Sequence, residues 1–122
     1  QMGVIAFRVL AGGALSGQTT RHPVAARSVD TIASNASFAA DVAQASAFHF
    51  LINQGWADNL IEAAIRFVLN HPGISTAPIG LSSLDQLEQA VAAIEKGPLP
   101  PEAIDQLFEV WAALTSKATS LS

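Results

Sequence analysis

The chain has 122 residues, half of them hydrophobic and 13% charged, which predicts one domain with a buried core rather than a disordered segment. The net charge of −4 and the six scattered lysines and arginines argue against a nucleic-acid partner. The lack of cysteine excludes disulfides and thiolate metal sites, and no apolar run approaches the roughly 18 residues of a membrane span, so we expect a cytoplasmic protein without a membrane partner.

The first predicted element is a strand over residues 3–10, because this short apolar run is rich in β-branched side chains. The run ends in a turn at Gly12 and Gly13. Residues 14–36 show no sustained hydrophobic period, and the sequence therefore predicts a long surface loop there.

Two helices and a second strand are predicted next. Apolar residues recur at steps of three and four from Ser37 until Gly55, which indicates an amphipathic helix. Asn59 and Glu62 have the spacing of a capping box at the start of a second helix. The segment 74–79 is too short for a helix and contains a proline, so a short strand is the better interpretation.

Two more helices are predicted before the C-terminus. One begins at Ser82 and Ser83, both spaced as caps, and ends at Lys96, whereas the last begins near Pro101. Two buried-type strands joined through helices predict a parallel pair with a right-handed crossover. Such a pair has open edges on both sides, so we expect that further strands or a second chain must cover it.

Two segments resemble the aldo/keto reductase family. Residues 3–17, GVIAFRVLAGGALSG, are similar to the family's seventh strand and the loop after it. The more specific match is in residues 64–89, AIRFVLNHPGISTAPIGLSSLDQLEQ, which are similar to the next helix, the eighth strand and the cofactor-binding helix. The resemblance implies an α/β fold class, namely the C-terminal part of a TIM (β/α)8 barrel with two parallel strands and about four helices, in a single partial domain over residues 1–122.

The resemblance also implies a nicotinamide-dependent oxidoreductase, whose members reduce carbonyls with a Tyr proton donor assisted by Lys, Asp and His. This chain contains no tyrosine, and neither Lys96 nor Lys117 matches the family's catalytic lysine. We therefore predict no catalytic residue here. The expectation is a C-terminal fragment, inactive alone, of a parent that acts on aldehydes or ketones, or on the matching alcohols or sugars.

Part of a cofactor-binding face, for NADP or NAD, is implied as well. Phe7 stands where the family usually has a tyrosine stacked on the nicotinamide, although a core aromatic is an equal interpretation. Arg8 either pairs with a pyrophosphate or is a solvated or ion-paired arginine, and the glycines after it either approach phosphate or form a plain turn. The predicted site residues are Phe7, Arg8, Leu10, Gly12, Gly80, Leu81, Ser82, Gln86 and Gln89.

The second half of this site departs from the family pattern. Gly80, Leu81 and Ser82 align with positions that hold an adenosine 2′-phosphate, although Ser82 could be a helix cap and nothing more. Gln86 and Gln89 stand where the family commonly has Arg and Glu. Because no Lys or Arg lies between Gly80 and Ala90, the usual charge-assisted contact to a 2′-phosphate is missing. Weak or no dinucleotide binding is expected for this chain alone.

A second function class remains open: a non-catalytic, self-associating interaction module derived from a barrel end. The predicted partners are thus a nicotinamide dinucleotide and either the missing N-terminal part of the barrel or a second copy of the chain. The three histidines have no metal-ligand spacing, so no metal site is predicted.

Overall fold

A computed structural model describes residues 2–28, 30–31 and 36–120, and within them the regular structure is helical. A 3₁₀ helix precedes the long connection, and the remaining elements follow it without a strand between them. In chain order the elements are a first 3₁₀ helix (Ala11–Ser16), α1 (Phe38–Ala45), a second 3₁₀ helix (Ser46–His49), α2 (Phe50–Asn53), α3 (Leu60–Leu69), α4 (Leu84–Glu95) and α5 (Pro101–Ser120).

The predicted fold class is wrong. The C-terminal part of a TIM barrel, with two parallel strands and about four helices, would require β-strands, and the described part of the chain forms none. The segments predicted as strands, 3–10 and 74–79, meet instead in an isolated parallel bridge between Ile5 and Thr76.

Local features explain why this bridge does not grow into a pair of strands. The Ala6 N–H donates to the Thr76 carbonyl at 2.9 Å, but two residues later Arg8 has a φ of 59°, which turns the chain away. On the other segment Pro78 has no N–H to donate to a ladder. A stable sheet also needs three or more strands, and the described residues supply no third strand beside these two segments.

The helices form where the local signals place them. The Asn59 side chain accepts from the Glu62 N–H at 2.8 Å, and the Ser83 side chain caps α4, so both predicted caps are confirmed. Ser82, spaced as an alternative cap, lies one residue before α4 begins. The helix predicted from Ser37 is divided into α1, the second 3₁₀ helix and α2.

Two apolar clusters hold these helices together. The larger one joins α2, α3 and α5 and is built from Leu51, Ala57, Ala63, Leu99, Ala103 and Leu107. The smaller one joins α3 to α4 through Ile65, Ala90 and Ala93. Of the helices in the described ranges, none combines the length and apolar character needed to cross a membrane.

A buried arginine ties α3 to two turns. Arg66 is 9% exposed and its guanidinium donates to the carbonyls of Trp56 at 2.7 Å, Gly97 at 2.8 Å and Pro98 at 3.2 Å. The same group pairs with the Glu62 carboxylate at 2.9 Å. Because each of the three guanidinium nitrogens donates to an acceptor, and one acceptor is a carboxylate, the buried charge is compensated.

Lys96 extends this pair into a charge network that also contains Asp58. The Lys96 ammonium lies 2.8 Å from Glu62 and 2.6 Å from Asp58. Burial raises the pKa of Glu62, but hydrogen bonds from Lys96 and Arg66 outweigh it and hold the pKa below its ordinary value of 4.5. The hydrogen bond between Lys96 and Asp58 lowers the pKa of Asp58 and raises that of Lys96.

Stability is therefore expected to fall in acid. The lowered pKa of Glu62 means that its contribution is complete above about pH 4.5, its ordinary value, and is lost as the pH falls through the lower folded-state value. At the alkaline end, the Lys96 contribution is lost only as the pH rises past its raised pKa. Urea midpoints measured from pH 7 to pH 3 should show the acid loss, and Glu62→Gln should reduce it. An identical acid profile in Glu62→Gln and the wild type would contradict this assignment.

Candidate functional site

A cleft of about 960 Å³ lies between the turn after Arg8, the connection that follows it and the start of α4. Its apolar floor is formed by Ile61 and Ile65 of α3 and Ala90 of α4. The volume is near the upper end of the roughly 300–1,000 Å³ that is typical of small-molecule and cofactor sites. The cleft is therefore large enough for an extended ligand.

The cleft brings together predicted site residues from both halves of the sequence. Phe7 is the exception: it does not line the cleft, and 74% of the residue is exposed, so it is not a core aromatic. The predicted site residues that line the cleft are Arg8, Leu10, Gly12, Gly80, Leu81, Ser82, Gln86 and Gln89.

The turn at one end of the cleft has an unusual backbone. Arg8 and Ala11 have φ values of 59° and 50°, in the left-handed region that non-glycine residues rarely adopt, and Gly12 and Gly13 follow with 66° and 100°. Each non-glycine residue held there costs about 1–3 kcal/mol, and such strain clusters at ligand sites. The turn is fixed by the Ala11 N–H, which donates to the Arg8 carbonyl at 2.8 Å.

Arg21 is a cleft residue that sequence reasoning missed. Its guanidinium donates to the Gly12 carbonyl and, at 2.6 Å, to the Ala26 carbonyl, and it lies 5.6 Å from the centre of the Phe38 ring. These contacts join the long connection to the turn and to α1. No local pattern marks Arg21 in the sequence, since its role depends on how residues 14–28 fold back.

The start of α4 forms the opposite end of the cleft. The Ser82 N–H donates to Gln86 Oε1 at 2.7 Å, and the Gln86 N–H donates to Ser83 Oγ at 3.3 Å. Asp85, in the first turn of α4, also lines the cleft, as does Gln89. The cleft thus has arginines beside the glycine turn and a carboxylate beside α4.

The described ranges contain no metal-ligand cluster beside the cleft or elsewhere. No three His, Asp or Glu residues there lie together in a way that could hold a metal ion. His22 Nδ1 accepts from the Val24 N–H at 3.2 Å, and His71 Nδ1 accepts from the Gly73 N–H at 3.1 Å. Both rings are engaged in local turns.

Comparison with known proteins gives the family. The protein-family model described as "Aldo/keto reductase family" matches residues 1–112 of this chain. The chain is 38% identical over 60 residues to aflatoxin B1 aldehyde reductase member 4 from Homo sapiens. The aligned stretch covers 45% of this chain and 18% of that protein. It is 36% identical over 64 residues to aldo-keto reductase family 7 member A3 from Homo sapiens, which covers 48% of this chain and 19% of that protein.

The matched stretch covers less than a fifth of the length of each of these relatives. No solved structure gives a significant match. Because the family match includes all the residues that line the cleft and extends over most of the sequence, this chain belongs to the aldo/keto reductase family of oxidoreductases.

Proposed function

We propose that this chain supplies one wall of the nicotinamide-dinucleotide site of an aldo/keto reductase and is inactive alone, as a C-terminal fragment of the catalytic unit. The cleft is the observation that carries this proposal, because residues from two segments distant in sequence line one cavity of about 960 Å³. The absence of tyrosine supports the second part, since the family's proton donor must then come from polypeptide outside these residues.

The residues present fit a dinucleotide. The Arg8 side chain has no hydrogen-bond or ion-pair partner among the residues that the structure describes, so its guanidinium is available to a pyrophosphate. The glycines at 12 and 13 carry no side chains that would keep a ligand from the backbone. Ser82, Gln86 and Gln89 supply polar groups for the adenosine half. When bound, the cofactor supplies or accepts the hydride.

The proposed reaction of the whole enzyme is reduction of an aldehyde or ketone, or oxidation of the matching alcohol or sugar. Two observations support this class: the family match, and a relative that is named an aldehyde reductase. The cytoplasm is the proposed compartment.

The exposed apolar surface supports a covering partner. Ile5 and Phe7 are 64% and 74% exposed, and an apolar stripe along α4 lies open as well, formed by Leu84, Leu87, Val91 and Ile94. We propose that the rest of the reductase polypeptide covers this surface. The second candidate is a non-catalytic module that covers it with another copy of the chain, and a homogeneous folded dimer in solution would favour that candidate.

A titration of the purified chain with NADH tests the proposal. Two-dimensional amide NMR should show shifts in residues 8–13 and 80–89 with a dissociation constant weaker than micromolar, because only part of the groove is present. Arg8→Ala should raise the dissociation constant about tenfold. This factor corresponds to the lower end of the free energy that a charge-assisted hydrogen bond contributes.

Arg27→Ala provides the matched control, since Arg27 is exposed and does not line the cleft. It should leave the dissociation constant unchanged. Shifts that spread over the surface, or an equal loss of affinity in Arg8→Ala and Arg27→Ala, would contradict a dinucleotide site in this cleft.

A further inference from the structure

We infer that this cleft discriminates against a 2′-phosphate and takes NAD(H) in preference to NADP(H), with Asp85 as a specificity-determining residue. The inference rests on the proposed function, because it concerns the adenosine half of the same dinucleotide. It is carried by the charges and the backbone donors at the two ends of the cleft.

The positive charge of the cleft lies at one end. Arg8 and Arg21 line it beside the glycine turn, and Arg21 is held there by the Gly12 carbonyl. The pyrophosphate shared by both cofactors is attracted to this end. An adenosine directed away from it then lies along the start of α4, where no Lys or Arg occurs between Gly80 and Ala90.

Two of the backbone donors at the start of α4, the N–H groups of Ser82 and Gln86, are already used by side-chain oxygens. Free N–H groups at a helix start bind anions, but here the Ser82 N–H donates to Gln86 Oε1 at 2.7 Å. The Gln86 N–H in turn donates to Ser83 Oγ at 3.3 Å. A 2′-phosphate would have to displace these side-chain oxygens, which adds a cost that an unphosphorylated ribose does not meet.

The charge of Asp85 also distinguishes the two cofactors. Its carboxylate lines this end of the cleft, and no cation among the described residues lies within ion-pair distance of it. A negative carboxylate repels a 2′-phosphate, whereas it can accept a hydrogen bond from a ribose 2′-hydroxyl. In Rossmann-fold enzymes an acidic residue on the ribose hydroxyl accompanies NAD, whereas an arginine accommodates the 2′-phosphate of NADP, and the same charge logic applies here.

The test compares NADH with NADPH in amide NMR titrations of the 122-residue chain at low salt. NADH should bind about tenfold more tightly than NADPH, as expected for one repulsive charge near the surface. Asp85→Asn should lower the ratio of the NADPH dissociation constant to the NADH dissociation constant severalfold. Asp85→Arg should make NADPH bind more tightly than NADH. Glu95→Gln, on the same helix and outside the cleft, should leave the ratio unchanged.

The outcomes separate this inference from the proposed function. Equal affinity for the two nucleotides, tighter binding of NADPH, or an Asp85→Asn ratio equal to that of the wild type overturns the inference while the proposed site stands. The absence of shifts with either nucleotide contradicts the proposed site, and the inference falls with it. Because Asp85 is exposed, its variants should retain the wild-type spectrum away from the cleft.

Discussion

Replacing Arg66 with alanine is expected to lower the free energy of unfolding by about 3–5 kcal/mol, the cost of removing one partner from a buried ion pair. The guanidinium bonds the carbonyls of Trp56, Gly97 and Pro98 as well as the Glu62 carboxylate. Its loss leaves polar groups buried without partners. Since small domains have a free energy of unfolding of only about 5–15 kcal/mol, this variant should lose a large part of its stability.

Urea unfolding followed by circular dichroism measures this loss. Arg66→Lys should also be strongly destabilised, because one ammonium cannot reproduce the planar fork that reaches several acceptors. Arg27→Ala is the control, since an exposed arginine should change the free energy of unfolding by no more than about 0.5 kcal/mol. A loss below about 1 kcal/mol in Arg66→Ala would show that the network does not hold the turns.

The sequence predicts the helices because their signals are local. The Asn59 and Ser83 caps act over three residues, and the apolar stripes of α3 and α4 repeat within each helix. Two of the bonds of Arg66, to Gly97 and Pro98, join residues more than thirty positions apart along the chain. No period or spacing reveals such a contact.

The sequence could not reveal that residues 3–10 and 74–79 do not form strands, for a related reason. Residues 3–10 and 74–79 have the composition of buried strands, but a strand is defined by its hydrogen-bonded neighbours, and the described chain provides a bridge at Ile5 and Thr76. The left-handed φ of Arg8 then ends the pairing, and no sequence rule places an arginine in that region.

The candidate site could be predicted from the sequence only through the family resemblance. Hydrophobic periods place Gly12 in a turn and Gln86 on a helix, but they do not bring the two into one cleft. Arg21 lies outside the two segments, 3–17 and 64–89, that carry the resemblance, so its contact with Gly12 is visible only in the structure. Asp85 fits the helix N-terminus as an ordinary first-turn acid, which conceals its position on the cleft wall.

Ile65 connects the stability of the helices to the shape of the cleft. It is 3% exposed, packs against Ala90 and Ala93 of α4, and forms part of the cleft floor. Ile65→Ala should therefore lower the free energy of unfolding by about 2–5 kcal/mol, since it leaves a cavity between α3 and α4. The same change should move the amide resonances of residues 80–89, because α4 is held in place by this contact.

Leu69→Ala is the matched control for Ile65→Ala, because Leu69 is on the same helix, loses the same number of carbon atoms and is 43% exposed. Its loss should stay below about 1 kcal/mol, since a half-exposed side chain leaves little cavity. If both variants lose the same free energy, the burial of Ile65 between α3 and α4 does not set the effect, because alanine has a higher helix propensity than either residue. If Ile65→Ala is destabilised while residues 80–89 keep their resonances, the cleft does not depend on the contact between α3 and α4.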